Sequence, residues 1–133
     1  LAIIAKRRFE VRNCLRAGRP VILVERLALA DGRPIVLGTH HFPAQRFPRL
    51  PALLAENSSI TAALSACGVP DYRRQVTRVT ARLPTPEEAE LLQQSRSRPV
   101  LVTEAVNVDP AGAVVDVTHA RYAAGRVQLV VES

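Results

Sequence analysis

The sequence predicts the α+β class, an antiparallel sheet with helices packed on it. Three observations predict it. Hydrophobic periodicity alternates along the chain between the two-residue repeat of strands and the longer repeat of helices. An Asp31-Gly32 dipeptide lies between two strand-like runs, which marks a tight hairpin. Single helical segments are interspersed among strands joined by hairpins, so the helices must pack on a sheet of neighbouring strands. With 133 residues, 47% of them hydrophobic, the chain is expected to form one domain spanning residues 1–133 with its own buried core.

Taken in order, residues 1–6 read as a short strand and residues 9–15 as a short helix stopped near Gly18. From Pro20 the run Val21-Ile22-Leu23-Val24-Glu25-Arg26-Leu27-Ala28-Leu29 is a strand, Ala30-Asp31-Gly32-Arg33 turns, and residues 35–42 return. Pro43, Pro48 and Pro51 make residues 43–56 a connection with at most a short helix near residues 50–55. Ser58 or Ser59 caps a helix through Ile60, Ala63, Leu64 and Cys67 that Gly68 ends. Residues 72–83 alternate and read as a long strand. Thr85 is the N-cap of the next helix, with Pro86 at its first position and Glu87 and Glu88 complementing the helix dipole. Residues 99–109 form a strand, Pro110-Ala111-Gly112 a turn, residues 114–122 the return strand and residues 126–132 a final strand.

Composition narrows the function classes. No apolar run approaches the ~20 residues of a membrane span, and residues 1–5 are too short for the apolar core of a signal peptide, so a cytoplasmic protein is expected. A chain that starts at Leu1 and lacks Met is expected to be a piece of a longer one. Cys14 and Cys67 are too few for a disulfide scaffold and lack the spacing of a redox pair, so both are expected to be ordinary buried thiols. Adjacent His40 and His41 point to opposite sides of a strand, which argues against a metal site, and no cofactor is expected. The net charge of +6 is a weak sign of nucleic-acid binding, because the arginines are spread along the chain and aromatics amount to 4%. An anionic small ligand accounts for it at least as well.

The strand ending in Glu25-Arg26-Leu27, the Ala30-Asp31-Gly32-Arg33-Pro34 turn, the Thr39-His40-His41-Phe42-Pro43 exit and the Ser59-Ile60 helix start together resemble a UTRA domain. The Pro84-Thr85-Pro86-Glu87-Glu88-Ala89 helix start and the Arg98-Pro99-Val100-Leu101 entry continue that match over almost the whole chain. The run from Pro99 to Asp109, with Arg126-Val127-Gln128-Leu129-Val130, is similar to the phosphonate-metabolism (PhnF-like) branch of that family. The resemblance implies a chorismate lyase-like fold and the effector-binding half of a GntR-superfamily repressor of the HutC subfamily. It further implies a small effector, a homodimer, and operator DNA contacted only through an N-terminal winged helix-turn-helix absent from this chain.

Strand parity nominates the site, since side chains two apart share a face. Arg26 shares its face with Ile22, Val24 and Ala28, so a long cation projects from an apolar surface and calls for an anion. Asp116, Thr118 and Tyr122 share a face, and the resemblance places an acidic or polar residue and an aromatic there against the ligand. Ser58 and Ser59 open a helix whose free N–H groups favour an anion; the resemblance carries a pocket serine to Ser59, with Ser58 as its neighbour. A simple two-residue hairpin puts Thr39 and His41 on the Arg26 face, whereas a bulge swaps in Gly38 and His40. Arg74, Arg78 and Arg82 line one face of their strand, either as a solvated stripe or as an anion-facing wall, with Glu104 a candidate counter-charge.

Each nomination has a plainer alternative: Arg26 as a structural ion pair with the neighbours of Glu25 or with Glu104, and Ser59 as an N-cap alone. Some members of the family carry an acidic residue where this chain has Gly38-Thr39-His40-His41, and its loss beside a retained Arg26 favours a phosphonate, phosphate ester or sulfate over a sugar amine. Two other function classes stay open on sequence. One is a lyase of the chorismate type, since a shared fold does not fix function. The other is a direct nucleic-acid binder.

Overall fold

The computed structural model describes the backbone of residues 4–16 and all of residues 18–57 and 59–132. Six strands form one sheet: β1 (Ile4–Arg16), β2 (Arg19–Ala30), β3 (Arg33–Pro43), β4 (Arg73–Arg82), β5 (Val100–Val108) and β6 (Val114–Ala123). Every neighbouring pair is antiparallel and the order across the sheet is β1-β2-β3-β6-β5-β4. Three short helices, α1 (Leu50–Glu56), α2 (Ile60–Ala66) and α3 (Pro86–Leu92), complete the α+β architecture that the alternating periodicities predict.

The sheet is buried on both faces, at opposite ends. On one face, α1 and α2 cover Ile22 and Val24 of β2, Phe42 of β3 and Val115 of β6, and contribute Leu50, Leu54, Ile60 and Leu64 to the same cluster. On the other, Leu92 of α3 packs on Leu27, Leu37, Val100 and Val102. The β2 strand shows the division in its own sequence: Ile22 and Val24 are buried at even positions, then Leu27 and Leu29 at odd ones. Period-two alternation makes this switch of buried face possible without any change in backbone.

Asp31 (φ +50) and Gly32 (φ +79) both take the left-handed conformation that a two-residue hairpin turn requires. Just beyond the turn the register slips. Leu29 opposes Pro34 but Ala28 opposes Val36, so Ile35 is an extra residue in β3 and every later position changes face.

Helix α3 begins as its sequence predicts. Thr85 Oγ1 accepts from the Glu88 N–H at 3.2 Å and Glu88 Oε1 accepts from the Thr85 N–H at 2.9 Å, a complete capping box. Glu88 also accepts from both terminal nitrogens of Arg82, at 2.7 and 2.9 Å, and lies 3.2 Å from Nε of the buried Arg121. One carboxylate therefore ties the start of α3 to β4 and β6.

Two sequence expectations are corrected. Residues 9–15 form no helix: they belong to β1, which pairs with β2 from Arg16 opposite Arg19 to Ile4 opposite Ala30. The segment Phe9-Glu10-Val11-Arg12-Asn13 alternates every two residues, and a neighbouring strand exploits that period better than a helix does. Gly18 (φ +76) turns the hairpin rather than ending a helix. Residues 126–132 form no final strand, because β6 already has β3 on one side and β5 on the other. After Ala123 the chain finds no free edge beside β6, and Val130 and Val131 are 70% and 89% exposed. Cys67 is a free, half-buried thiol at the end of α2, while residues 1–3 of the first expected strand and the Cys14 side chain lie outside the described residues.

The Arg82 hydrogen bonds hold the Glu88 carboxyl at a pKa of about 2 against the opposing effect of burial, with help from the Thr85 N–H and the charge of Arg121. A depressed pKa stabilises the fold fully above the ordinary value of 4.5, and that stabilisation is lost as pH falls toward 2. Glu88→Gln should lower the unfolding free energy by about 2 kcal/mol at neutral pH in urea titrations. The gap between parent and variant should close below pH 4.5. A gap that stays constant across that window would rule out the carboxylate as its source.

Candidate functional site

The cover supplied by α1 and α2 runs out along β2 after Val24. The next residue on that face is Arg26, which stands opposite Gly38 of β3. Gly38 in turn opposes Ala120 of β6, and Ala120 opposes Thr103 of β5, so the row beside Arg26 is built from small side chains. The neighbouring row runs from Val24 through His40 to Thr118, and the row on the other side from Ala28 through Val36 to Tyr122. Small residues next to long ones leave concavity. Two adjoining cavities of about 270 and 390 Å³ share Arg26, His40, Arg74 and Thr118 in their walls. The first runs over Gly38, Ala120 and Tyr122, and the second runs beneath Ser59 and Ile60 toward Tyr72 and Asp116.

A hydrogen-bonded chain backs this cavity. Arg26 Nη2 lies 2.7 Å from His40 Nε2, and His40 Nδ1 lies 2.9 Å from Asp116 Oδ2. A guanidinium only donates, so Nε2 must accept and Nδ1–H must donate to the carboxylate, which fixes the tautomer of a neutral imidazole. Asn107 Nδ2 donates to the other oxygen, Asp116 Oδ1, at 2.5 Å. Asp116 is only 3% exposed, and these two donors satisfy a charge that burial would otherwise penalise heavily. The His40 ring is also stacked on Phe42, with centroids 5.8 Å apart and planes inclined by 7°, so the core itself orients the imidazole. Burial pushes the half-buried Arg26 guanidinium below its ordinary pKa, and the Asp116 charge opposes that shift. It remains a cation.

The structure brings together Arg26, Ser59, Asp116, Thr118 and Tyr122 of the residues nominated from sequence. It separates the others. The bulge at Ile35 turns the His41 and Thr39 side chains to the opposite face, so the simple-hairpin alternative fails and the bulged one holds. Thr39 runs along the cavity floor but its Oγ1 accepts from Arg121 on the far side, and His41 lines a different groove with Pro20 and Val117. Glu104 opposes Arg78 on the far face as well, which removes the ion pair between Arg26 and Glu104. Arg82 shares that face and is engaged by Glu88. Ser59 accepts the Ala62 N–H at 3.2 Å as the N-cap of α2 while it lines the cavity, and Ser58 lies outside the described residues.

Two residues of the site, Tyr72 and Asn107, escape the sequence reading, and a third, Arg74, is set there in one stripe with Arg78 and Arg82. Arg74 parts company with Arg78 and Arg82 because a second irregularity, between Arg74 and Val76, places it opposite Asn107 on the cavity face. Nothing in the composition of β4 signals that slip. Asn107 and Tyr72 carry no motif, and Tyr72 is held by a 3.2 Å contact between its hydroxyl and Thr61 Oγ1. His40 stands in the sequence reading only as the bulged alternative to His41, and the slip at Ile35 is what selects it.

The family model described as the UTRA domain matches residues 10–128. An uncharacterized HTH-type transcriptional regulator of Rhizobium meliloti is 37% identical over 116 residues, covering 87% of this chain and 48% of that protein. The HTH-type transcriptional repressor PhnF of Mycolicibacterium smegmatis is 28% identical over 110 residues, covering 83% of this chain and 45% of that one. The chain thus spans about half the length of the curated relatives it matches. Among solved structures, the effector domain of PhnF from Mycobacterium smegmatis superposes with a TM-score of 0.78 at 22% identity, over 100% of this chain and 88% of that one.

Asp116→Asn tests the polar chain. An amide offers one acceptor oxygen where the carboxylate offers two, so either His40 or Asn107 loses its partner. The expected cost is about 1–3 kcal/mol in chemical denaturation. Nitrogen-15 shifts should report Nδ1–H in the parent imidazole and a mixture of tautomers in the variant. An unchanged tautomer would remove Asp116 as its determinant.

Proposed function

The chain belongs to the UTRA domain family, and from that premise we propose that it is the effector-binding domain of a GntR-family transcription regulator of the HutC subfamily. Its ligand is a small anionic metabolite, a phosphonate or phosphate ester, bound in the cavity over Gly38. The observation that carries this reading is the placement of Arg26 and Arg74 on the walls of one cavity, with the Asp116 carboxylate engaged by His40 and Asn107 behind it. Two guanidiniums line the cavity while the nearby carboxylate already accepts from two donors. Such a cavity favours a compact dianion, which guanidinium forks bind through charge-assisted hydrogen bonds.

The polar walls supply further contacts: Thr118 and Tyr122 from β6, and the cavity rim at Ser59. The domain performs no catalysis in this reading, consistent with relatives named as transcriptional regulators. It is cytoplasmic and homodimeric, and it meets operator DNA only through a winged helix-turn-helix on the same polypeptide. A ligand alters operator affinity only through unequal affinity for two arrangements of the dimer; a coupling of about 1–3 kcal/mol amounts to roughly 5- to 150-fold. The phosphonate-metabolism branch is the assignment within the family.

Titration calorimetry with alkylphosphonates, phosphosugars and acids of the histidine pathway tests the ligand class. An anion should bind. Arg26→Gln should weaken it by about 10- to 100-fold through loss of a charge-assisted bond. A Cβ at position 38 would meet nothing within 4 Å, so Gly38→Val should fold normally and still abolish binding by filling the floor. Binding confined to uncharged or cationic compounds would sink the proposal.

A further inference from the structure

A second concentration of positive charge lies at the end of the sheet by the β2–β3 turn. Arg33 at the start of β3, Arg98 in the connection between α3 and β5, and Arg126 just after β6 line one cavity of about 340 Å³. Among the described residues no aspartate or glutamate lines it, and it shares none with the walls of the cavity over Gly38. Its remaining polar lining is neutral and includes Gln93, Gln94 and Ser95.

The three arginines differ in what holds them. Arg126 closes the end of α3: Nη1 donates to the carbonyls of Pro34 at 2.8 Å and Leu92 at 2.6 Å, and Nη2 to that of Gln93 at 2.5 Å. Those last helical carbonyls lack intrahelical partners, so a cation there has a structural role. Arg33 and Arg98 have none of comparable kind. Among the described residues neither has a carboxylate partner, and Gly125 leaves room for one of them, since a Cβ there would stand 3.2 Å from Arg98 Nη1. Burial first, and then the charges of Arg33 and Arg98, press the Arg126 guanidinium below its ordinary pKa. Three like charges are thus held around one concavity, one of them fixed by the backbone, with no carboxylate partner for Arg33 or Arg98 among the described residues.

We propose that Arg33, Arg98 and Arg126 form a second oxyanion site, suited to inorganic phosphate or a phosphomonoester and separate from the effector cavity. A tetrahedral dianion would relieve the repulsion among the three guanidiniums and accept from their free N–H groups, with the amides and hydroxyl of the lining as neutral donors. The fixed guanidinium of Arg126 orients the site, and the two exposed arginines close on the ion.

The test titrates inorganic phosphate into the chain carrying Arg26→Gln, with chloride adjusted to constant ionic strength, while the arginine Nε–H resonances are followed by NMR. Saturable shifts at Arg33, Arg98 and Arg126 are expected. Arg33→Gln and Arg98→Gln should each weaken phosphate tenfold or more with unchanged thermal unfolding, and Arg98→Lys should retain part of the affinity because it keeps charge without the fork. The proposal is overturned if phosphate binding disappears in the Arg26→Gln chain. It is equally overturned if chloride produces the same shifts, or if the Arg33→Gln/Arg98→Gln double variant binds phosphate like its parent.

Discussion

A carboxylate buried at Asp116 has to be met by donors, and much of the cavity follows from how that demand is met. Water cannot supply them at 3% exposure, so His40 and Asn107 do. Committing Nδ1–H to Asp116 leaves Nε2 as an acceptor, and the acceptor holds Arg26. The polar chain thereby transmits the influence of a negative charge to a cation without bringing the two into direct contact. Stacking on Phe42 makes the imidazole part of the hydrophobic core as well, so apolar packing and polar satisfaction converge on the same ring.

Around that chain the sheet divides its labour. One face carries α1 and α2 and, where their cover ends, the cavity; the other carries α3 and its own ionic cluster of Glu88, Arg82 and Arg121. The β6 strand serves both, presenting Asp116, Thr118 and Tyr122 to one side and Arg121 to the other. Arg121 also donates to His119 Nδ1 at 2.9 Å, and burial lowers the pKa of that imidazole, with the Arg121 charge acting in the same direction. Each face therefore contains a neutral histidine acting as acceptor for an arginine.

The fold class, the Asp-Gly hairpin, all three helices and five of the strands at nearly their observed positions were legible in the sequence, because caps, turn residues and period-two runs are local signals. What failed was local ambiguity resolved by distant partners. Residues 9–15 lack a property that excludes a helix until β2 is placed beside them, and residues 126–132 read as a strand until β3 and β5 occupy both sides of β6. Site residues followed the same rule. Arg26 and the Asp116-Thr118-Tyr122 face required only parity within one strand, whereas His40 and Arg74 required knowing where their own strands slip by one residue against a neighbour. Thr39, His41, Arg78, Arg82 and Glu104 were nominated with correct parity within their strands but on the wrong side of such a slip or of the sheet.

The extra residue at Ile35 has a consequence for how this domain can diverge. A single-codon deletion there would rephase β3 and replace Gly38 and His40 on the cavity face at one stroke, an attractive shortcut to a new chemical preference. The same deletion would carry Phe42 out of the core. Losing a buried phenylalanine costs about 3–5 kcal/mol, against a total of about 5–15 kcal/mol for a domain. A one-residue deletion at this bulge therefore costs a large share of the stability of the fold. Descendants of this sequence are left to explore ligand preference one side chain at a time, at Gly38, His40 and their cross-strand neighbours, with the frame that holds them inherited intact.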